Sequence, residues 1–423
     1  MHTIIHGDCL EELKKLEDNS VDAVTTDPPY GLSNTKPAQV ADVLKAWVTG
    51  DAEATPTTKG GFMNASWDSF VPPPAVWEEC MRVLKPGGHM AVFAGARTQD
   101  LMGLSIRLAG FEIRDTLGWI YGSGFPKSMD VSKAIDKAAG AEREVIGSKV
   151  TGNAKQRTSA TGEFADGNHG GQQVVDVTAP ATSEAQRWDG WGTALKPAIE
   201  PIILARKPLD GTVAGNVLAH GVGGLNIDAC RVGNEKRFNA PAVAKEGTFN
   251  CSFDSDYAGE EVTGRFPANV LLDEHAAKEM DKQAPNAGAN KVGNAKAYPI
   301  NNNVYGAMKD ATPFDIDEKG GASRFFPVFK YQAKAPKKER PVIEREDGTK
   351  IQHNTVKPLA LMEWLVSLIV PPGGVVLDPF AGSGTTLQAA INKGFTPIGI
   401  EQDADYIKLI EKRLEATCTT HKN

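Results

Sequence analysis

The chain has 423 residues, 41% of them hydrophobic and 23% charged, with a net charge of −7. That is an ordinary globular composition, long enough for several domains or for one large domain carrying insertions, and its negative sum argues against a purely electrostatic nucleic-acid binder. It has no apolar run of about 18 residues for a membrane span and no basic-then-apolar leader; its five cysteines (Cys9, Cys80, Cys230, Cys251 and Cys418) are odd in number and lack CxxC spacing, which argues against a disulfide framework or a zinc site and for a reducing, cytoplasmic setting.

At the front, MHTIIHGD reads as a short strand, CLEELKKL as a helix and VDAVTTD as a buried strand. Two prolines follow at once, in TTDPPYGL at residues 25–32. Proline cannot donate to a sheet ladder, so the strand stops there. A long polar loop leads to GFMNASWDSF, where Trp67 and Phe62 are candidates either to close over a ligand or to cover the sheet edge. The helix PAVWEECMRVL opens at proline and is closed by KPGG. HMAVFAG is a strand, ARTQDLMGLSIRLAG an amphipathic helix, FEIRDTLGWIYG a strand and, after an interruption, AIEPIILARKP another. At the back come helix LALMEWLVSLI, strand GVVLDPF, helix SGTTLQAAINKG, strand TPIGIE and helix ADYIKLIEKRLEA. Strands alternating with helices imply a mostly parallel sheet covered on both faces.

Two stretches depart from this rhythm, roughly 123–197 and 209–350. In the first, IGSKVTGNAKQRTSATGEFADGNHGGQQ has almost no apolar period and reads as a mobile loop. The second holds short apolar pieces, FPANVLL and SRFFPVFKY, consistent with an inserted small domain. The basic run KAPKKER near its end reads, taken alone, as a solvated face.

VVLDPFAGSGTTLQAA, residues 375–390, is a strand, a glycine-rich turn and a helix start. Glycines let a ligand approach the backbone, and the helix N-terminus offers free N–H groups. Neither GxGxxG nor GK[ST] is present, which disfavours a phosphate cradle. Strand TPIGIE ends at Glu401, spaced so that its carboxylate can accept from ribose hydroxyls; the other reading is an exposed strand-end acid.

TTDPPYGL and LDPFAGSGTT together resemble the amino-group DNA methyltransferases that use S-adenosylmethionine, in the β-group order with the tetrapeptide first and FxGxG last. LKPGGHMAVFAG, GSGFPKS, ALKPAIEPIILARKP and HNTVKP extend the resemblance over roughly half the chain. It implies an α/β, Rossmann-like fold: a doubly wound, mostly parallel seven-stranded sheet in permuted order, with an inserted DNA-recognition region. It implies that Asp27, Pro28, Pro29 and Tyr30 hold the base. The chemistry of these residues agrees. An exocyclic amine is a poor nucleophile because its lone pair is delocalised. Asp27 can accept one of its N–H groups and the Pro28 carbonyl the other, the two prolines keeping that carbonyl rigid. Tyr30 can stack on a flipped base, and methyl transfer is then a direct displacement helped by alignment. A carbon-5 cytosine enzyme needs a thiol after a proline, and no cysteine here follows one.

By the same resemblance, Asp378, Phe380, Gly382, Ser383, Gly384, Thr385 and Glu401 form the cofactor pocket. Asp8 contacts the cofactor's adenine or caps the next helix, and His353, Thr355 and Lys357 pack at its methionine end. HNTVKP differs from the family's usual form at Asn354 and Val356. Arg324, Tyr331 and Lys334 are candidates for DNA contact, through phosphate and stacking. The domains expected are 1–122, the catalytic half; 123–197, an insertion; 198–208, a sheet strand; 209–350, target recognition; and 351–423, the cofactor half. The implied activity is S-adenosylmethionine-dependent methylation of adenine N6 in double-stranded DNA by a homodimer, with no metal. Asp before PPY favours adenine over cytosine N4 in this family. N4 of cytosine, RNA, a protein amide and a non-catalytic DNA-binding module are the other readings.

Overall fold

A computed structural model of the chain describes residues 2–56, 68–122, 124, 128–151, 173–239, 260–286, 320–329, 341–345, 347–353 and 355–420. It divides into two compact units, Met1–Gly122 with Ile199–Asn423, and Ser123–Ala198.

In chain order the elements are β1 (Thr3–His6), α1 (Cys9–Leu13), β2 (Val21–Thr26), α2 (Pro37–Val48), α3 (Pro74–Val83), β3 (Leu84–Phe93), α4 (Gln99–Leu108) and β4 (Glu112–Ile120). The second unit holds α5 (Val131–Ala138), β5 (Val145–Thr151), β6 (Gln173–Thr178) and α6 (Ser183–Arg187). The first unit resumes with β7 (Ile199–Arg206), α7 (Val213–His220), β8 (Val232–Asn239), β9 (Glu260–Arg265), β10 (Val270–Asp273), α8 (Glu274–Gln283) and β11 (Val328–Phe329). It closes with β12 (Ile343–Glu344), β13 (Lys350–Ile351), α9 (Leu359–Ile369), β14 (Val375–Asp378), α10 (Thr385–Asn392), β15 (Thr396–Glu401) and α11 (Ala404–Thr420).

Nine strands form the main sheet, in the order β1-β15-β14-β2-β3-β7-β4-β10-β11. All neighbours are parallel except β7, which runs antiparallel to both β3 and β4. The seven strands read from the sequence are contiguous, from β1 to β4. The other two, β10 and β11, come from the 209–350 stretch, so part of that stretch extends the sheet instead of standing apart from it. Alternate residues of one strand feed opposite faces. Val21 and Val24 pack with α1 to α4, around Trp77, Met102 and Ile106. Ala23 and Val376 pack under α9 and α10, around Leu361, Leu365 and Ala389. Burial on both faces is why β2 carries apolar residues at adjacent positions, Ala23 and Val24.

Two local expectations are corrected. The polar stretch after Tyr30 contains α2, which starts at Pro37 and buries Val43 and Trp47; its polar composition hid a narrow apolar stripe. KPGG does not close α3. That helix ends at Val83, and Leu84 is already extended and begins β3, so KPGG lies within the strand, with Gly87 at φ +79°.

The second unit contains more than a loop. Its β5, which includes all of IGSKVT, pairs antiparallel with β6. Asp136 of α5 is buried and accepts from Arg143 Nη1 (2.5 Å), Thr182 Oγ1 (2.8 Å) and the backbone N–H groups of Ala181 and Thr182 (3.0 Å each).

Candidate active site

The prolines end β2 where the sequence says they must, at Thr26. The turn beyond is pinned by its neighbours. Asp68 accepts from the backbone N–H groups of Tyr30 (2.7 Å), Gly31 (2.9 Å) and Leu32 (3.3 Å). Thr98 Oγ1 donates to the Tyr30 carbonyl at 2.6 Å. Gly31 has φ +66°, and a Cβ there would stand 2.7 Å from the Val71 nitrogen, so only glycine fits.

Inside this frame Asp27 faces a small ionic cluster. Tyr30 donates its phenolic O–H to Asp27 Oδ1 at 2.8 Å. The Lys357 ammonium stands 2.8 Å from Asp27 Oδ2 and 3.2 Å from Glu200 Oε2, and donates to the Tyr30 oxygen at 3.0 Å. It also lies over the rings of Phe93 (4.8 Å) and Tyr30 (5.3 Å). Burial opposes the charge on Lys357, but Asp27 and Glu200 outweigh it and its pKa is raised. Burial and the same two carboxylates push the Tyr30 phenol well above its usual value, so it stays a donor. Lys357, expected at the methionine end of the cofactor, pairs with Asp27. Tyr30, whose ring is expected to stack on a base, also ties its hydroxyl to Asp27.

The glycine-rich turn follows β14, which is parallel to β2 and next to it. Both strands therefore end on one edge of the sheet, and Thr26 Oγ1 donates to Asp378 Oδ1 (2.7 Å) across 352 residues of sequence. Asp378 is buried behind the turn and also accepts from Phe380 N–H at 3.1 Å. Burial outweighs these hydrogen bonds and pushes its pKa up to about 6. Gly382 and Gly384 have φ of +53° and +75°. Glu401, at the end of β15, accepts from Gly382 N–H (2.8 Å) and Asp403 N–H (2.9 Å), which joins it to the turn from the front. Arg413 of α11 is buried and donates to the Ser383 carbonyl (2.6 Å) and to Gln388 (2.9 Å).

The remaining candidates fall around this turn. A Cβ on Gly382 would lie 3.1 Å from His353 Nε2, so the imidazole closes one side of the turn. Burial pushes His353 down to about 4, and the ring is neutral near pH 7. Thr355 is exposed and its N–H donates to His353 Nδ1 at 3.3 Å. Phe380 packs against Trp77, with ring centroids 6.4 Å apart. Thr385 is buried at the start of α10. Asp8 caps α1, accepting from Leu10 N–H (3.0 Å) and Glu11 N–H (3.3 Å), on the same sheet edge where Gly7 N–H meets the Glu401 carbonyl. The side chains gathered at the turn are the carboxylates of Asp378 and Glu401, a neutral imidazole and the Arg413 guanidinium, which is engaged by the Ser383 carbonyl and Gln388.

Arg324 lies in a short 3₁₀ turn with its guanidinium 4.9 Å from the Phe325 ring centroid. Tyr331, Lys334, Phe62 and Trp67 lie outside the described residues. Burial raises the thiols of Cys9 and Cys230 to about 12, the opposite of what a nucleophile needs. Sequence reasoning missed Glu200, Asp68, Thr98 and Arg413. Glu200 was visible only as the acid of AIEP; the other three have no local signature, because each acts on backbone far away in sequence.

Comparison with known proteins places this arrangement. The chain is 23% identical to the type II methyltransferase M.HindIII of Haemophilus influenzae over 97% of its own length and 94% of that protein's. Over 63 residues (15% of this chain and 21% of the other) it is 48% identical to the DNA adenine methyltransferase YhdJ of Escherichia coli. Among solved structures it is similar to the M1.HpyAVI–SAM complex, at 15% identity and a TM-score of 0.39, covering 98% of this chain and 99% of that one. The model of the N6/N4 methyltransferase family, described as DNA methylase, matches residues 21–150 and 228–412, a span that includes both DPPY and the glycine-rich turn, and with it the chain belongs to that family of DNA methylases.

Proposed function

We propose that this enzyme transfers a methyl group from S-adenosylmethionine to the N6 amine of a flipped adenine in double-stranded DNA. The observation that carries the reading is the joining of the two half-sites: Asp27 and the Asp378–Thr385 turn leave adjacent parallel strands at one sheet edge, tied by the Thr26–Asp378 hydrogen bond. Ligands of open α/β sheets bind at such an edge, where successive connections diverge. Here β14 connects onward to β15 on one side and β2 to β3 on the other.

The cofactor, when bound, supplies a methyl group activated on a sulfonium. The protein's part is to hold and align. Asp27 accepts one amine N–H and the Pro28 carbonyl the second, drawing the nitrogen towards tetrahedral geometry. Asp68, Thr98 and Gly31 keep that carbonyl in place through the backbone of the next residues. Glu401 retains lone pairs for ribose hydroxyls beyond its two backbone bonds. A neutral His353 spares the turn a positive charge that would oppose the sulfonium. Adenine as the target is supported by Asp27 in the tetrapeptide and by the likeness to YhdJ, a DNA adenine methyltransferase. Homodimerisation, the cytoplasm as the place of action, and base reading by the 209–350 stretch complete the proposal.

Labelled S-adenosylmethionine incubated with unmethylated genomic DNA, followed by digestion to nucleosides, tests it. Label is expected in N6-methyladenine. Label in N4-methylcytosine overturns the choice of base, and no label in any DNA nucleoside overturns the activity. Asp27→Ala is expected to slow transfer at least about 100-fold while binding the cofactor as the parent does.

A further inference from the structure

We propose that Glu200 is a positioning residue for methyl transfer: it is the second seat of the Lys357 ammonium, which moves from Asp27 to Glu200 when the target amine arrives. The inference rests on the amino-methylation reading above. Its starting point is a conflict of occupancy. Lys357 Nζ donates to Asp27 Oδ2 at 2.8 Å and Tyr30 donates to Oδ1 at 2.8 Å. Both carboxylate oxygens thus already receive a strong donor, which competes with an exocyclic amine N–H for the charge and remaining lone pairs of Asp27.

The ammonium cannot simply withdraw. Its side chain is 11% exposed and lies over the rings of Phe93 and Tyr30, and moving a charge there without a partner is costly. Glu200 removes that cost. Its Oε2 is already 3.2 Å from Nζ, so a small shift exchanges one carboxylate for the other. The same oxygen is 3.4 Å from the Tyr30 hydroxyl, which gives the phenol an alternative acceptor as well. Once both donors have moved to Glu200, Asp27 is free for the amine and the Tyr30 ring for the base. The position of Glu200 fits this part. It lies at the start of the antiparallel strand β7, opposite Trp119 of β4, a fixed place on the sheet. Two carboxylates around one ammonium also leave the cluster a net acceptor, as an amine donor requires.

The test is single-turnover methyl transfer with saturating DNA and cofactor. Glu200→Gln keeps the size and removes the charge. It is expected to lower the rate about 10- to 100-fold, the size of one charge-assisted hydrogen bond, with KM for DNA and for cofactor within about twofold of the parent. Glu200→Asp, which keeps the charge, is expected to recover part of the rate. Adding Lys357→Met to Glu200→Gln is expected to raise the rate above that of Glu200→Gln alone, because no ammonium then holds Asp27; a merely structural Glu200 gives no such rescue. A Glu200→Gln rate within about twofold of the parent, or a double variant no faster than Glu200→Gln, overturns the proposal. A parent enzyme that labels no DNA base overturns the function reading instead, so the two failures are distinct.

Discussion

Three residues show how much of the site is made by placement. Gly31 carries no chemistry, yet its φ of +66° and the 2.7 Å approach of the Val71 nitrogen leave no room for a Cβ. Gly31→Ala is expected to cost about 1–3 kcal/mol of stability and to slow transfer by displacing the Pro28 carbonyl; thermal melts and single-turnover rates check both. Asp378 is a buried acid whose pKa of about 6 lies above its ordinary 3.8, chiefly through burial. Between those values the folded state binds more protons than the unfolded state, so stability falls as pH rises from about 4 to 6. Asp378→Asn keeps an acceptor for Thr26 and Phe380. It is expected to be more stable than the parent at pH 7, by roughly 1–3 kcal/mol, with the difference vanishing near pH 4. Denaturant melts across that range test the sign. Tyr30 adds a contact its identity does not announce: besides a ring able to stack, it has a hydroxyl that donates to Asp27.

At the scale of elements, a strand buried on both faces, such as β2, announces itself by adjacent apolar residues, and the partly exposed β1 and β4 were legible from shorter apolar stretches; with β3, β7, β14 and β15 these make the seven strands read from the sequence. Helix α2 was hidden because tertiary packing of two side chains, Val43 and Trp47, outweighs a polar composition. The boundary of α3 was misplaced because its chain passes directly from helix to strand, so the glycines of KPGG serve a bend in β3 and not a helix end. In the Ser123–Ala198 unit, four hydrogen bonds converge on buried Asp136. Asp136→Ala removes every one and strands the Arg143 charge. Hydrogen exchange is expected to show α5 and the β5–β6 hairpin losing protection while β2 and β14 keep theirs.

On the scale of the molecule, the proposed site draws on residues 27, 200, 357, 378–385 and 401. They meet because parallel strands β2 and β14 end on one edge and because α11 returns to brace the turn. Arg413 of that last helix holds the Ser383 carbonyl at 2.6 Å. Arg413→Met leaves this carbonyl without its donor, which costs about 1–3 kcal/mol. A lower melting temperature and weaker cofactor binding are expected, with Asp27 chemistry intact at saturating cofactor; calorimetric titration with saturation kinetics separates these effects.

Apolar patterning along the chain is enough to read seven strands of the main sheet and most helices, and residue types with few other uses mark both ends of the proposed site: an acid, two prolines and an aromatic at one strand end, two glycines one residue apart in the turn at another. Those signals are local, because they record what the backbone can do at one place. Folding alone brings Lys357 to Asp27, adds Glu200 to the pair, sets Asp68 and Thr98 against the turn, and places β10 and β11 at the end of the sheet. Each of these is a contact between segments far apart in sequence, where a single charged or polar residue carries no period and becomes legible only when folding sets its partner within hydrogen-bonding distance.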